Sequence, residues 1–384
     1  MNTLNLTAIP KELNVILALL RGEKQIPYEG IDWNNLNDLA LHHRLFPVLY
    51  LKLKQQKEST VPSGVLQFFA NQYKRNTFQM LRLSAVTEQL SKAFSEQKIP
   101  LLLLKGPALA HYLYGDISLR TSSDLDFLIP IQKLDRAEKL LKELGYEKDD
   151  YIKTVLNDWK WRHHHVTFIH PDQGTKVELH WRLNPGPSKE PAFKELWQRK
   201  SVSELTSYPV YLLGKEDLLL FLIMHGSRHG WSRLRWLADI QELIHQEIDW
   251  KQVNHLLVKY DCHRALGQGI LLATNLFQFT INSNIQNFIR TASAKKLAQR
   301  AVFYFERMVN LHTDPVPEEV SHYHRQYLFA VMSLQQKLIF ILSFLYPYPE
   351  DRDTLPLPKA IHFLYFPLRP FLWLYRKTRK PAVS

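Results

Sequence analysis

Asp124 and Asp126 stand one residue apart in an apolar run, SSDLDFLIP. In a strand, residues i and i+2 project from the same face. Two carboxylates side by side repel unless a cation lies between them. Magnesium prefers one or two carboxylates together with substrate phosphates, so the pair reads as a metal site. The plainer alternative is a solvated strand edge, because a short motif of this kind recurs by chance. The neighbouring residues favour the metal. Lys105-Gly106 closes the preceding apolar run, IPLLLL, and Arg120 and Ser123 stand just before the first aspartate. A third carboxylate, Glu178, lies in KVELHW, where it shares one face with His180 while Val177, Leu179 and Trp181 take the other. A carboxylate inside an apolar strand needs a partner if it is buried. An edge strand with Glu178 in water is the alternative; a third metal ligand accounts better for its place near the aspartates.

These residues need elements to hold them. HVTFIH and KVELHW flank a turn rich in Pro, Asp and Gly, a hairpin pattern. A strand ending at Lys105, a glycine turn and a short helix precede the aspartate strand. Residues 74–97 predict one long helix leading into the first core strand. LDRAEKLLKELGY has helical spacing and ends at Gly145, a fitting C-cap. NPGPSKEP at 184–191 is rich in helix and strand breakers. The expected organisation is a helical region at 1–92, a core at 93–185, a helical domain at 186–346 and an aromatic, basic tail at 347–384. The fold class is α+β, a mixed sheet between helical regions.

The chain resembles an uncharacterised bacterial nucleotidyltransferase family related to DNA polymerase β-like enzymes. The resemblance rests on LLKGPALAHYLYGD at 103–116, LRTSSDLDFLIP at 119–130, LLKELGY at 140–146, VELHWRL at 177–183 and RLRWLADI at 233–240. LALHHRLFPVLY at 39–50 fits its N-terminal helical part, and the likeness spans roughly residues 10–375. It implies that family's fold and a metal site, and it does not imply a substrate. The leading function is transfer of a nucleotidyl group from a nucleoside triphosphate, ATP being the expected donor, to an undefined hydroxyl-bearing acceptor. Asp124, Asp126 and Glu178 would be the catalytic metal ligands, with Mg²⁺ as cofactor. Lys105, Gly106, Arg120 and Ser123 would contact the nucleotide. In the helical domain Arg235 would meet phosphate and Asp239 would orient it; an i,i+4 salt bridge between those two is the structural alternative. One departure stands out. The wider superfamily turns on Gly-Gly or Gly-Ser, whereas this chain has Lys105-Gly106-Pro107, and proline has no N–H to offer a phosphate. Lys105 is expected to compensate as a point charge. The competing functions are a non-catalytic nucleotide- or partner-binding protein and a small-molecule phosphotransferase using the same metal site.

Composition limits the remaining classes. Of 384 residues 45% are hydrophobic and 22% charged, the balance of a folded globular chain. The single cysteine, Cys262, can form neither an internal disulfide nor a thiolate cluster, which suits a reducing, cytoplasmic setting. His163, His164 and His165 should alternate faces of a strand, so the three are not expected at one metal. No secretory signal is expected at the N-terminus. The nearest approach to a membrane span, 355–375, is broken by Lys359, Arg369 and several prolines. The net charge of +12 has a local component: from residue 359 onward there are six Lys or Arg and no Asp or Glu, interleaved with aromatics. That tail suits an anionic membrane surface, placing the protein in the cytoplasm or peripherally at the inner membrane surface. Nucleic-acid contact is the less favoured reading, and packing of the aromatics on the body is the structural one.

Overall fold

A computed structural model describes residues 3–56, 60–186, 188–281 and 283–379. Seven strands form one mixed sheet: β1 (Leu102–Leu103), β2 (Asp124–Leu128), β3 (Glu147–Asp149), β4 (His165–His170), β5 (Thr175–His180), β6 (Ser201–Ser203) and β7 (Val210–Leu212). Their spatial order is β3-β4-β5-β2-β1-β7-β6. β4 and β5 pair as the antiparallel hairpin expected from their sequence. β5 then pairs with β2 in parallel, β2 with β1 antiparallel, and β1 with β7 in parallel. The sheet therefore draws in β6 and β7, from beyond the breaker-rich segment at 184–191.

Strand alternation divides the sheet into two faces. Leu103, Leu125, Phe127, Val166, Phe168, Val177, Leu179 and Leu212 are buried on one of them. They pack against Met80, Leu83, Leu90 and Phe94 of the helix Ser63–Glu96 and against Leu134, Ala137 and Leu141 of the helix Leu134–Glu143. The long helix starts eleven residues earlier than the sequence pattern predicts: Val65, Phe69, Asn76 and Met80 keep one buried face continuous through residue 74.

A second apolar core joins distant parts of the chain. Leu13, Ile16, Leu36, Leu39 and Leu49 of the N-terminal helices lie in one cluster with Leu219, Ile223, Leu237, Leu272 and Phe305. Polar contacts fasten the same junction: Arg235 N donates to His43 O at 3.2 Å, and His42 Nε2 lies 3.1 Å from Ser232 O. The N-terminal helices thus support the helices Lys215–Arg228 and Leu234–Ile244 that face the sheet. Among the described residues no helix is long and apolar enough to cross a membrane.

Candidate active site

Register decides what the polar face of the sheet presents. The parallel pairing sets Asp124 beside Lys176 and Asp126 beside Glu178. The hairpin sets His165 opposite His180. Because Leu125, Val177 and Leu179 point into the core, the charged residues between them share the other face.

There the charges alternate. Asp126 is 1% exposed, and its Oδ1 takes Lys105 Nζ at 3.0 Å and His180 Nε2 at 3.1 Å. Glu178 Oε1 accepts from Lys176 Nζ at 2.6 Å, and its Oε2 lies 3.4 Å from His180 Nε2 and 3.7 Å from His165 Nε2. Asp124 Oδ2 is 3.9 Å from Lys176 Nζ. Burial works against ionising Asp126, but Lys105 and His180 outweigh it and hold the carboxyl at about 2. Glu178 is likewise driven low, as His180, His165 and Lys176 overcome its burial. Asp124 goes the other way: burial and the adjacent Asp126 charge raise it. Burial disfavours the His180 cation, yet the two carboxylates raise its pKa.

Two buried polar atoms in this cluster are left over, His180 Nδ1 and a carboxylate oxygen. Asp126 Oδ2 is buried and has no hydrogen-bond partner. Donor atoms of Asp126, Glu178 and His180 lie within 4.8 Å of one another, which suits a small cation bound partly through carboxylates. Asp124 stands outside that group, on the cavity wall. His180 is therefore part of the donor set, and its place on the Glu178 face was the signal for it. His164 and His165 also converge on His180. Strand alternation does not separate them, because β4 begins at His165 and His164 precedes it.

Above the carboxylates is a cavity of about 480 Å³. Lys105, Ser122, Ser123, Asp124, Lys176 and Glu178 line its floor, together with Arg120. Arg228, Arg233, Arg235, Arg44 and His312 line it from the helical regions. Seven lysine and arginine side chains thus border a space whose lining includes two carboxylates. Arg44 and Arg233 lie in segments that carry the resemblance and His312 does not; packing of remote parts of the chain brings all three here.

The remaining expected nucleotide contacts are placed differently from one another. Gly106 adopts φ +92°, and a Cβ there would come within 3.3 Å of Leu125 Cδ2. The turn needs glycine for its backbone and for close packing on β2. Lys105, directly before it, leans onto Asp126 as well as lining the cavity. Arg235 and Asp239 do not pair. Arg235 Nη1 donates to Thr121 O at 2.5 Å and to Thr121 Oγ1 at 2.6 Å. Asp239 is fully buried and takes Arg120 Nε at 3.1 Å on both oxygens, with Tyr114 OH donating at 2.9 Å. This corrects the expectation that Asp239 orients Arg235. A buried carboxylate needs a buried cation, and Arg120 reaches it from the loop before β2. Arg120 in turn has one nitrogen, Nη2, with no partner, and it still borders the cavity.

A sequence model described as "uncharacterised nucleotidyltransferase" matches residues 29–278. The chain belongs to this nucleotidyltransferase family. Two solved structures are similar to parts of the chain. One is ANT(2")-Ia in complex with adenylyl-2"-tobramycin, at 14% identity and a TM-score of 0.32, covering 46% of this chain and 95% of that one. The other is an antigenic nucleotidyltransferase-like protein from Paracoccidioides brasiliensis, at 19% identity and a TM-score of 0.33, covering 53% and 96%. No curated protein matches the chain. The protein is a nucleotidyltransferase of mixed α and β structure.

Proposed function

We propose that this nucleotidyltransferase uses ATP and Mg²⁺ to nucleotidylate a hydroxyl group on a separate acceptor. The observation that carries the reading is Asp126 and Glu178 in register on neighbouring strands beneath a cavity bordered by seven lysine and arginine side chains. That charge pattern complements a metal-bound polyphosphate.

Asp126 and Glu178 would hold the metal beside His180, with Asp124 reaching it from the cavity wall, and the unpartnered Asp126 Oδ2 supports the fit. Bound there, Mg²⁺ supplies Lewis-acid stabilisation of phosphate charge. The chain's own groups do the rest. Arg228 and Arg235 approach from the helices, and Lys105 and Lys176 from the sheet; together they orient the triphosphate and stabilise charge as it develops. The acceptor oxygen bonds to the α-phosphorus while the bond to the bridging oxygen breaks. Pyrophosphate leaves and the hydroxyl proton passes to solvent. A cytoplasmic, reducing location belongs to this reading, on the single buried Cys262.

Incubation with ATP labelled at the α- or γ-phosphate tests it, with and without Mg²⁺, in the presence of pooled small-molecule and protein acceptors. Metal-dependent transfer of the α-label is expected. Transfer of the γ-label would make the protein a phosphotransferase. Saturable ATP binding with neither label moving would make it a binding protein.

A further inference from the structure

We propose that the C-terminal helices form a docking face for an anionic lipid bilayer surface, lying on it without crossing it.

The segment is built inside out. Its inward contacts are polar, both among its own parts and to the body. Asp351, fully buried, accepts from Arg369 Nη1 at 2.5 Å and Arg376 Nη2 at 2.7 Å. Arg369 Nε donates to Phe344 O. Arg162 stacks 3.7 Å from the Tyr348 ring centroid and donates to Tyr346 O at 3.2 Å.

The apolar residues face outward. On the helix Leu334–Ser343 and the turn after it, Leu334, Leu338, Ile341, Leu342 and Leu345 are all exposed, Leu334 by 73%. Their spacing of i, i+4, i+7, i+8 and i+11 makes one stripe about 100° wide. In a soluble helix that stripe is the face that packs. The helix Tyr365–Arg379 repeats the arrangement, with Phe366, Trp373 and Leu374 exposed and Lys377 in the same stripe, 5.0 Å from the Trp373 ring.

Charge selects the occupant. From Leu334 to the C-terminus there are eight lysines and arginines against three carboxylates, Glu350, Asp351 and Asp353. Asp351 is consumed internally by Arg369 and Arg376, which leaves six cations against Glu350 and Asp353. A second copy would bring two cationic segments together, whereas an anionic headgroup layer neutralises them. Aromatic rings and leucines with lysines at their edge suit the interfacial zone of a bilayer. The longer helix has 15 residues, so it reaches about 22 Å and cannot span the roughly 30 Å hydrocarbon layer. The inference does not depend on the nucleotide reading.

Flotation of the full-length protein with phosphatidylcholine vesicles, with or without phosphatidylglycerol, tests it. The protein should float with the anionic vesicles at low salt and several-fold less with phosphatidylcholine alone. Leu338→Glu combined with Leu342→Glu should weaken flotation by about tenfold or more, since two leucines lose their apolar burial. Melting temperature and ATP binding should stay unchanged. Lys359→Glu with Lys377→Glu, both exposed, should lower binding to anionic vesicles only; this pair serves if the leucine variant misfolds. Failure of the wild type to float on anionic vesicles at low salt overturns the proposal. So does a wild-type dimer, seen by sedimentation velocity, that the leucine variant converts to monomer.

Discussion

Asp126 is the residue on which the site turns. Its Oδ1 is shared by Lys105 and His180, and its Oδ2 is buried without a partner. Asp126→Asn keeps the shape and removes the charge those two cations answer. Turnover should fall by about 10²–10³ or more, the scale of losing a charge-stabilising group at a reaction centre, with the circular dichroism spectrum unchanged. Retention of Mg²⁺-dependent triphosphate binding by Asp126→Asn would remove it from the metal site. Lys105 has two contacts open to it, the carboxylate and the cavity. Lys105→Ala should weaken binding of a triphosphate about tenfold more than that of the nucleoside, one lost charged contact's worth. Calorimetry with both ligands separates this from a purely structural loss, which would weaken both equally.

Two connections set the geometry at the level of elements. The first is the turn from β1 into the helix Pro107–Tyr114, where Gly106 holds φ +92° against Leu125. Gly106→Ala should cost about 1–3 kcal/mol in denaturant unfolding, from the strained backbone alone. It should also lower activity, because the residue before the turn carries Lys105. The second is the buried Arg120–Asp239 pair, which ties the loop before β2 to the helix Leu234–Ile244. Asp239→Ala leaves a buried guanidinium unneutralised and should destabilise by about 3–5 kcal/mol. Arg120→Met with Asp239→Leu should cost less than the sum of the two single changes. Additive losses in that double-mutant cycle would show that the pair does not act as a unit. Such connections explain which elements were legible beforehand. The β4–β5 hairpin and the aspartate strand show their period and turn residues within a few positions. β7 is three residues long, and its neighbour β1 lies over a hundred residues earlier.

Across the whole molecule nine histidines favour the neutral form, ranging from the buried His43 and His225 to the exposed His312. His42, His43, His163, His164, His165, His225, His229, His312 and His324 all have lowered pKa values, with burial the largest cause in each. His42, His165 and His324 fall to about 4. In the unfolded chain each titrates near 6.5, so below that pH the unfolded state binds protons that the fold refuses. Each such proton costs about 1.4 kcal/mol of stability per pH unit at the buried rings of His43 and His225, and less where water screens the ring, as at His163 and His312. His180, raised by Asp126 and Glu178, works in the opposite sense: its contribution is present below 6.5 and is lost as pH rises through its folded value. Nine against one predicts that stability falls steeply from pH 6.5 toward 4. Thermal melting across that range measures it, and a flat profile would show that the histidines are hydrated in solution.

The local features followed from residues close together in the chain. Alternation placed Asp124 with Asp126 and Glu178 with His180, and the Pro-Asp-Gly turn made the hairpin, because side-chain period and turn geometry are set within a few positions. Which of these faces meet is a different matter. The parallel pairing that sets Asp126 beside Glu178 joins strands 52 positions apart in register, and it depends on which buried surfaces fit together. The same holds for Arg44, Arg233 and His312 around the cavity, and for Arg120 taking the carboxylate that local spacing offered to Arg235. A helical pattern shows which residues share a stripe, and only the packed molecule decides whether that stripe is covered. The stripe Leu334–Leu345 has the spacing of a core face, and the tertiary structure leaves it in the open, because the segment meets the body through Gln336 and Tyr346 instead.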